Sequence, residues 1–285
     1  MRILITGAQG QVGWEVAQLL PELGQVLALD RQGLDLADVD ALRRVLASFQ
    51  PQVIVNAGAY TAVDRAETEF ELARAINARA PGVLAEEAKR LGALLIHYST
   101  DYVFDGEKRV PYLESDSVGP LNAYGRSKLE GEEAIVASGA AALILRTSWV
   151  YATRGKNFLL TMQRLGRERD ELAVVADQTG VPNWAWRLAA ATQELLRLGI
   201  ARLSDAPGIY HLSAGGSGSW YDFAKAIFGA AESPRLRPIT TEEYPLPARR
   251  PSYGVLSGAK LEAEFGIRLP HWREDLARCL ATQGR

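Results

Sequence analysis

The chain has 285 residues, enough to bury a substantial core in one large domain or two modest ones. Its formal net charge of −2 gives no general electrostatic reason to bind nucleic acid or an anionic membrane. No apolar stretch is long enough to span a membrane, no signal peptide precedes the first predicted strand, and the lone Cys279 has no internal disulfide partner. We therefore expect an enzyme of the cytoplasm.

The amino terminus predicts a dinucleotide-binding turn. Residues 2–6 form a short apolar, β-branched run that is typical of a buried parallel strand. Gly7, Gly10 and Gly13 follow in a G-x-x-G-x-x-G spacing, and residues 14–20 look helical. Such glycines permit a tight turn and a close approach of the backbone to a pyrophosphate at a helix N-terminus. A glycine-rich turn can also merely redirect the chain, but the strand before it and the helix after it favour the cofactor.

The second predicted strand, residues 25–29, is followed by two residues with opposite implications. The carboxylate of Asp30 can accept a hydrogen bond from the adenosine ribose 2′-hydroxyl, which favours NADH. The guanidinium of Arg31 can contact a 2′-phosphate, which favours NADPH. The sequence therefore predicts a nicotinamide cofactor and leaves NADH and NADPH both open.

Strands and helices then alternate along the first half of the chain. The predicted elements are a helix at 41–48, a strand at 52–56, a helical stretch at 66–91 interrupted near Pro81, a strand at 94–98, a helix at 124–138 and a strand at 142–146. This alternation predicts an α/β fold with a doubly wound parallel sheet, the Rossmann architecture.

Polar segments follow three of the predicted strands. They are residues 56–61, 99–106 and 146–151. Ligands of open α/β sheets bind beyond the carboxyl ends of the strands, so we expect these segments to surround one site.

Tyr124 and Lys128 are the strongest candidates for chemistry at that site. Side chains four residues apart on a helix are neighbours, and an ammonium beside a phenol favours the phenolate. A Tyr whose pKa is lowered in this way can exchange a proton with a substrate oxygen near neutral pH. The same spacing also occurs by chance on solvated helices, so its weight depends on the motifs around it.

These motifs together resemble the extended short-chain dehydrogenase/reductase superfamily and, within it, the dTDP-4-dehydrorhamnose reductase family. The resemblance covers essentially the whole chain, although Asn183 departs from the Thr that usually follows Pro182 in that family. It rests on residues 7–13, 56–64, 99–106, 124–128, 146–150, 156–158, 177–180 and 248–251.

The resemblance implies a reaction and a role for each catalytic residue. Hydride would pass from the nicotinamide to the C4 ketone of dTDP-4-dehydro-6-deoxy-L-mannose, giving dTDP-L-rhamnose, the last step of dTDP-rhamnose biosynthesis. Tyr124 would donate the proton, and Lys128 would lower the Tyr pKa and bind the nicotinamide ribose. Thr100 would hydrogen-bond the carbonyl oxygen and hold it against Tyr124.

The resemblance also implies the binding residues. The cofactor would contact Gly7, Gly10, Gln11, Val12, Gly13, Asp30, Arg31, Asp35, Leu36, Ala57, Gly58, Ala59, Tyr60, Thr61, Tyr124 and Lys128. The dTDP-sugar would contact Thr100, Asp101, Tyr102, Trp149, Asn157 and Arg249, with Arg250 a further candidate for the diphosphate and core packing the alternative for Trp149.

Extended members of the superfamily interleave two domains. We expect residues 1–153 plus about 182–213 to form the dinucleotide-binding domain, helped by a helix at 181–198 and a strand at 208–212 that rejoins the main sheet. Residues 154–181 plus about 214–285 would form the smaller sugar-nucleotide lobe, with an irregular lid at 238–251. Some relatives are dimers joined through Mg²⁺ held by Glu side chains, which makes Glu15 a possible ligand and leaves both monomer and homodimer open.

Two alternatives remain from the sequence. One is a reductase or epimerase that acts on another nucleotide-linked 4-keto sugar, whereas dehydration is disfavoured because Tyr102, not an acidic residue, follows Asp101. The other is a non-catalytic regulatory subunit that binds NADP(H). The presence of Thr100, Tyr124 and Lys128 argues against this second alternative.

Overall fold

A computed structural model of the chain describes residues 1–229 and 234–283. Its strands are β1 (Arg2–Thr6), β2 (Gln25–Leu29), β3 (Val53–Asn56), β4 (Leu94–Thr100), β5 (Ala142–Thr147), β6 (Val150–Tyr151), β7 (Glu171–Val175), β8 (Thr179–Gly180), β9 (Asn183–Trp184), β10 (Gly208–His211), β11 (Gly218–Ser219) and β12 (Arg235–Ile239). Its α-helices are α1 (Gln11–Leu19), α2 (Val39–Phe49), α3 (Val63–Ala66), α4 (Phe70–Arg74), α5 (Ala80–Leu91), α6 (Ala123–Ser138), α7 (Phe158–Glu168), α8 (Ala185–Arg197), α9 (Ile200–Ser204), α10 (Trp220–Phe228), α11 (Ala259–Phe265) and α12 (Trp272–Gln283).

The main sheet has six parallel strands in the spatial order β10, β5, β4, β3, β1, β2. The predicted doubly wound parallel sheet is therefore confirmed, and β10 rejoins the sheet beside β5 as expected. Strand order reverses between β1 and β3, because the chain moves outward to β2 and then returns to the other side of β1. A ligand site is expected at the carboxyl ends of these two strands.

Both faces of the sheet are covered, which explains the continuous apolar runs in its central strands. Every residue of β3, β4 and β5 is buried. In β1 the side chains alternate between the faces: Ile3 and Ile5 pack in one hydrophobic cluster, and Leu4 packs in the other.

The long helical stretch predicted at 66–91 is divided into α3, α4, a π-helical turn at Ala75–Arg79 and α5. Pro81 does not break the helix but lies in the first turn of α5, where its missing N–H costs least. The helix predicted at 181–198 begins at Ala185, because residues 179–180 and 183–184 form the short strands β8 and β9. Within the described part of the chain, no helix is both long and apolar enough to cross a membrane.

Short two-stranded sheets lie outside the main six-stranded sheet. β7 pairs with β12 in parallel, β8 pairs with β11 antiparallel, and β6 pairs with β9 in parallel. The irregular lid predicted at 238–251 begins later than expected, since Pro238 belongs to β12. We call residues 240–252 the strap: its Thr241 amide donates to Asp177, and its Ser252 hydroxyl donates to the Gly106 carbonyl.

Candidate active site

The glycine turn lies at the strand-order reversal, between β1 and α1. Gly7 has a φ of +69°, and a Cβ at this position would lie 2.5 Å from Gly58 Cα. A Cβ at Gly13 would lie 2.2 Å from the Gly7 carbonyl oxygen. Only glycine fits either position. The Gly10 amide donates to the Gly7 carbonyl at 2.8 Å and closes the turn, and the first turn of α1 that follows suits a pyrophosphate. The turn therefore fits a dinucleotide.

Asp30 and Arg31 differ in how far their side chains are engaged. One carboxylate oxygen of Asp30 accepts hydrogen bonds from the Gln32 and Gly33 amides, both at 3.0 Å. The Arg31 side chain is 76% exposed, and its guanidinium makes only a 3.8 Å ion pair with Asp35. The Asp30 carboxylate thus closes its own turn, whereas the Arg31 guanidinium remains available to an anion.

The segment after β3, residues 57–61, is fixed by a side chain that the sequence did not single out. Asn77, in the π-helical turn, accepts from the Tyr60 amide at 2.8 Å and donates to the Tyr60 carbonyl and to the Ser127 hydroxyl, both at 3.0 Å. The Tyr60 phenol donates to Glu69. Leu36 packs against Gly58 from the side of β2. A buried Asn in a helical stretch next to a predicted break was the available signal.

Tyr124 lies in the first turn of α6, opposite the end of β4. The Asn122 side chain caps this helix by accepting from the Gly125 amide at 2.8 Å. The Tyr124 ring meets the Tyr102 ring edge to face at 5.7 Å. Burial raises the pKa of Tyr124 to about 12, and its interaction with the Thr100 hydroxyl only partly opposes this. The neutral phenol that a proton donor needs is therefore the favoured form.

Lys128, which the sequence predicts to lower the pKa of Tyr124, makes its contacts with strand β4. Its Nζ donates to the Tyr98 carbonyl at 2.7 Å and lies 3.0 Å from His97 Nε2. Burial lowers the pKa of Lys128 itself to about 8, and Glu132 one turn along the helix opposes this. The ammonium is directed toward β4, and the i,i+4 spacing alone did not reveal that.

A buried chain of side chains continues from Lys128. Asn56 Nδ2 lies 2.8 Å from His97 Nδ1, and Asn56 Oδ1 accepts from the Thr6 hydroxyl at 2.6 Å. Burial, and secondarily the Lys128 charge, hold the pKa of His97 well below its usual value, so the ring is neutral. A His inside an otherwise apolar strand was the sequence signal for this contact.

Thr100 and Asp101 end β4 beside Tyr124. The Thr100 hydroxyl accepts from the Tyr102 amide and donates to Asp101 Oδ1, both at 3.1 Å. Both side chains are buried, with 6% and 2% exposure. Burial raises the pKa of Asp101 to about 7, against opposing hydrogen bonds from Thr100 and from its own amide.

A cavity of about 1090 Å³ opens beside Tyr102 and extends under the strap. Trp220 lines it, and Trp149 stacks behind Trp220 with ring centroids 3.6 Å apart. The sequence therefore proposed Trp149 but missed Trp220, whose indole N–H donates to Gln178 at 3.1 Å. Trp149 has a φ of +41°, rare for a bulky residue.

The three polar candidates for the diphosphate have different surroundings. Arg249 lines the cavity. Arg250 also lines it, but its guanidinium is bound to both Asp64 oxygens at 2.5 and 2.7 Å. Asn157 caps α7, with its amide nitrogen on the Ala152 and Arg154 carbonyls and its oxygen on the Leu160 amide. The structure does not bring Asn157 into the cavity.

Glu15 lies outside the site described above, in a separate cavity of about 460 Å³ that Arg278 also lines. Burial raises the pKa of Glu15, while the charge of Arg154 opposes the rise. Residues 1–229 and 234–283 contain no group of three or more His, Cys, Asp or Glu side chains placed to hold a metal ion. The surroundings of Glu15 are therefore cationic and do not fit a magnesium site within this chain.

A family model described as "RmlD substrate binding domain" matches residues 1–284. The chain belongs to this family. A relative in Burkholderia thailandensis named dTDP-4-dehydrorhamnose reductase is 49% identical, with 98% of each chain covered. An enzyme of the same name in Escherichia coli K12 is 43% identical, covering 98% of this chain and 97% of its own.

Solved structures give the same result. The dTDP-4-dehydrorhamnose reductase of Bacillus anthracis, in complex with NADP, superposes with a TM-score of 0.93. It is 37% identical, and 99% of each chain is covered. The resemblance inferred from the sequence motifs is thus confirmed over the full length of the chain.

Proposed function

We propose that this chain is an NADPH-dependent dTDP-4-dehydrorhamnose reductase. It reduces the C4 ketone of dTDP-4-dehydro-6-deoxy-L-mannose to give dTDP-L-rhamnose, the last step of dTDP-rhamnose biosynthesis. The observation that carries the proposal is that Tyr124 and Lys128 of α6 lie against the end of β4, where Tyr124 interacts with Thr100, in a chain that the family model matches over residues 1–284.

Each catalytic side chain has a defined task. The bound nicotinamide supplies the hydride chemistry. The Tyr124 phenol holds the proton that the reduced oxygen takes up, and the Thr100 hydroxyl donates a hydrogen bond that polarises the ketone. The Lys128 ammonium has three N–H donors. One donates to the Tyr98 carbonyl, and Nζ lies 3.0 Å from His97 Nε2, which leaves at least one donor for the ribose of the cofactor.

Residues that surround the glycine turn would hold the cofactor. They are Gly7, Gly10, Gln11, Val12 and Gly13 for the pyrophosphate, Asp35 and Leu36 with residues 57–61 for the adenosine side, and Tyr124 with Lys128 for the nicotinamide ribose. The exposed guanidinium of Arg31 and the engaged carboxylate of Asp30 favour NADPH over NADH. The relative with bound NADP supports the same choice.

The sugar nucleotide would occupy the cavity under the strap. Tyr102 and Arg249 contact it directly, and Trp220, backed by Trp149, offers an aromatic face for the base or sugar. Asn157 is left out of this proposed site, because all of its hydrogen-bonding groups cap α7.

We also propose that the chain forms two interleaved domains. The dinucleotide-binding domain would contain residues 1–153 plus about 182–213, and the sugar-nucleotide lobe would contain residues 154–181 plus about 214–285. The six strands of the main sheet fall in the first part, and the β7–β12 pair falls in the second, which supports it. We also propose that the enzyme works in the cytoplasm, as a monomer or a homodimer; the buried free thiol of Cys279 fits a reducing compartment.

One experiment tests the proposal. Purified protein with dTDP-4-dehydro-6-deoxy-L-mannose should oxidise NADPH and form dTDP-L-rhamnose, and Tyr124→Phe should still bind NADPH while losing turnover by about 10²–10⁴-fold. NADPH binding without substrate-dependent oxidation would instead favour a regulatory subunit. Turnover of another nucleotide-linked 4-keto sugar, but not this one, would favour the related reductase or epimerase.

A further inference from the structure

The Thr100 hydroxyl has a single hydrogen, and two acceptors compete for it: the Asp101 carboxyl group and the ketone oxygen of the substrate. A hydroxyl has one hydrogen to donate and two lone pairs to accept with. One lone pair already accepts from the Tyr102 amide at 3.1 Å. The hydrogen points to Asp101 Oδ1, also at 3.1 Å, when that oxygen is a bare acceptor. Yet the proposed reaction needs the same hydrogen on the ketone oxygen of the substrate.

The protonation state of Asp101 decides between these two uses. An ionised carboxylate is an acceptor only, so it keeps the Thr100 hydrogen. A protonated Asp101 donates to the second lone pair of Thr100 over the same 3.1 Å distance. The Thr100 hydrogen is then released from Asp101 and can donate to a carbonyl oxygen, because the neutral Tyr124 phenol that also interacts with Thr100 has a hydrogen of its own.

The surroundings of Asp101 favour the neutral acid. Its Oδ2 is buried and has no hydrogen-bond partner among the described residues. Gly254 packs so closely on Oδ2 that a Cβ there would lie 2.4 Å away. A buried carboxylate without a cation or a full set of donors is costly, whereas the carbonyl-like oxygen of a neutral acid is much less so.

The charged and titratable groups near Asp101 do not compensate a charge on its carboxyl group. From α6, the Tyr124 phenol is neutral and the Lys128 ammonium is engaged by Tyr98 and His97. From the strap, the Arg250 guanidinium is held by Asp64. From β4 itself, the His97 ring is neutral. None of these groups is a salt-bridge partner of Asp101, and its raised pKa follows from burial.

We propose that Asp101 acts as a protonated positioning residue, whose proton frees the Thr100 hydroxyl to donate to the ketone oxygen of the substrate. The inference rests on the proposed function. It makes the reductase lose activity as pH rises through the ionisation of Asp101, well before the Tyr124 phenol ionises.

The test compares pH profiles of kcat/KM, which report ionisations of the free enzyme. For the wild type, kcat/KM should fall by about tenfold or more between pH 6 and pH 8.5, given a pKa of about 7 for Asp101. Asp101→Asn carries a permanent N–H donor at the same place, so its profile should lose the fall centred near pH 7 and keep only the fall that follows from Lys128, whose pKa is about 8. At pH 8.5 the variant should exceed the wild type.

Asp105→Asn is the matched control, because it removes a carboxylate from the same loop. Asp105 accepts from the Tyr112 phenol at 2.6 Å rather than from Thr100. This variant should keep the wild-type fall with pH. A wild-type profile that is flat, or a fall that persists unchanged in Asp101→Asn, would overturn the inference.

A spectroscopic measurement tests the protonation state without turnover. Infrared difference spectra of wild type and Asp101→Asn at pH 6 should contain the C=O stretch of one protonated carboxyl, lost in the wild type by pH 8.5. Absence of that band at pH 6 would overturn the inference even if the enzyme is active. If the band is present but the substrate is not reduced, the proposed function fails and the protonation of Asp101 stands.

Discussion

Two buried cations lie at helix α6, one on the helix and one on the neighbouring strand β5. They differ in whether a carboxylate pairs with them. Arg146 and Lys128 are 2% and 1% exposed. Arg146 on β5 makes a bidentate ion pair with Glu132, with nitrogen–oxygen distances of 2.5 to 3.2 Å. Lys128, one turn before Glu132, has no carboxylate partner among the described residues and contacts a neutral imidazole and a backbone carbonyl instead.

The presence or absence of a carboxylate partner distinguishes Arg146, a structural cation, from Lys128, which we propose is a reactive one. A paired guanidinium fixes α6 against β5 and stays charged. An ammonium that is buried without a counter-ion is costly, and it remains able to give up its proton near neutral pH. The molecule thus carries a destabilising charge at the site of chemistry and a compensated one next to it.

The largest effect should follow from Lys128→Met, which removes the uncompensated charge and keeps all but the last atom of the side chain's length. Turnover should fall by about 10²–10⁴-fold, because the ribose contact and the nearby cation are both lost. At pH 7 the same variant should be more stable than the wild type by roughly 1–3 kcal/mol, as expected at a strained active-site charge.

The stability advantage of Lys128→Met over the wild type should decrease as pH rises. The folded-state pKa of Lys128, about 8, lies below its reference of 10.5, so the folded protein binds the proton less well than the unfolded one. The cost is complete below pH 8 and is relieved as pH rises toward 10.5. Thermal unfolding of both proteins from pH 7 to pH 10 should show the advantage of Lys128→Met shrinking. A lower Tm for the variant at pH 7 would contradict this.

The second largest effect should be a loss of stability when Arg146 loses its carboxylate partner. Glu132→Gln leaves the Arg146 guanidinium buried without a counter-charge and should destabilise the fold by about 3–5 kcal/mol in urea unfolding. Glu130→Gln on the same helix is the control, since Glu130 pairs with the half-exposed Arg74 and should matter by less than about 1 kcal/mol. Equal losses of stability in Glu132→Gln and Glu130→Gln would contradict the prediction that the buried ion pair of Arg146 matters more than an exposed one.

A third variant perturbs the partner of Lys128 and not Lys128 itself. His97→Leu removes the ring nitrogen that lies 3.0 Å from Nζ, so the ammonium is less well positioned. We expect kcat to fall by about tenfold to a hundredfold with little change in the KM for the sugar nucleotide. His97→Gln, which offers an acceptor oxygen, should recover part of the loss. A change confined to KM would argue against this positioning role.

The smallest effect should come from Arg31, a cation that is exposed where Lys128 and Arg146 are buried. Arg31→Ala should raise the KM for NADPH by about threefold to tenfold while leaving the KM for NADH nearly unchanged, because an exposed charge contact is worth about 1 kcal/mol. Steady-state kinetics with both cofactors measure this. Equal changes for the two cofactors would place Arg31 away from the 2′-phosphate.

The sequence predicted those parts of the molecule that depend on local patterns. The apolar runs of β1, β3, β4 and β5 and the glycines between β1 and α1 were sufficient to predict the sheet and the cofactor turn. The motif at Tyr124 and Lys128 predicted the helix that carries the proposed catalytic residues. Each of these signals lies within one short segment, where period and spacing carry the physics.

Contacts between distant segments were not predictable in this way. The orientation of Lys128 toward His97, 31 residues away, depends on how α6 packs on β4. The capping role of Asn157 depends on where α7 begins, and the role of Asn77 depends on a π-helical turn that periodicity does not reveal. Trp220 was missed because its importance comes from stacking on Trp149, 71 positions earlier.

That pair of indoles gives the protein a built-in optical signal. The two rings lie 3.6 Å apart and 10° from parallel, so we expect their electronic transitions to couple and to split the ultraviolet circular dichroism bands. One of the two rings forms the cavity wall, and the other is held by an unusual backbone angle behind it. A molecule that enters the cavity and displaces the outer ring will change this splitting, so occupancy can be followed in the unlabelled protein.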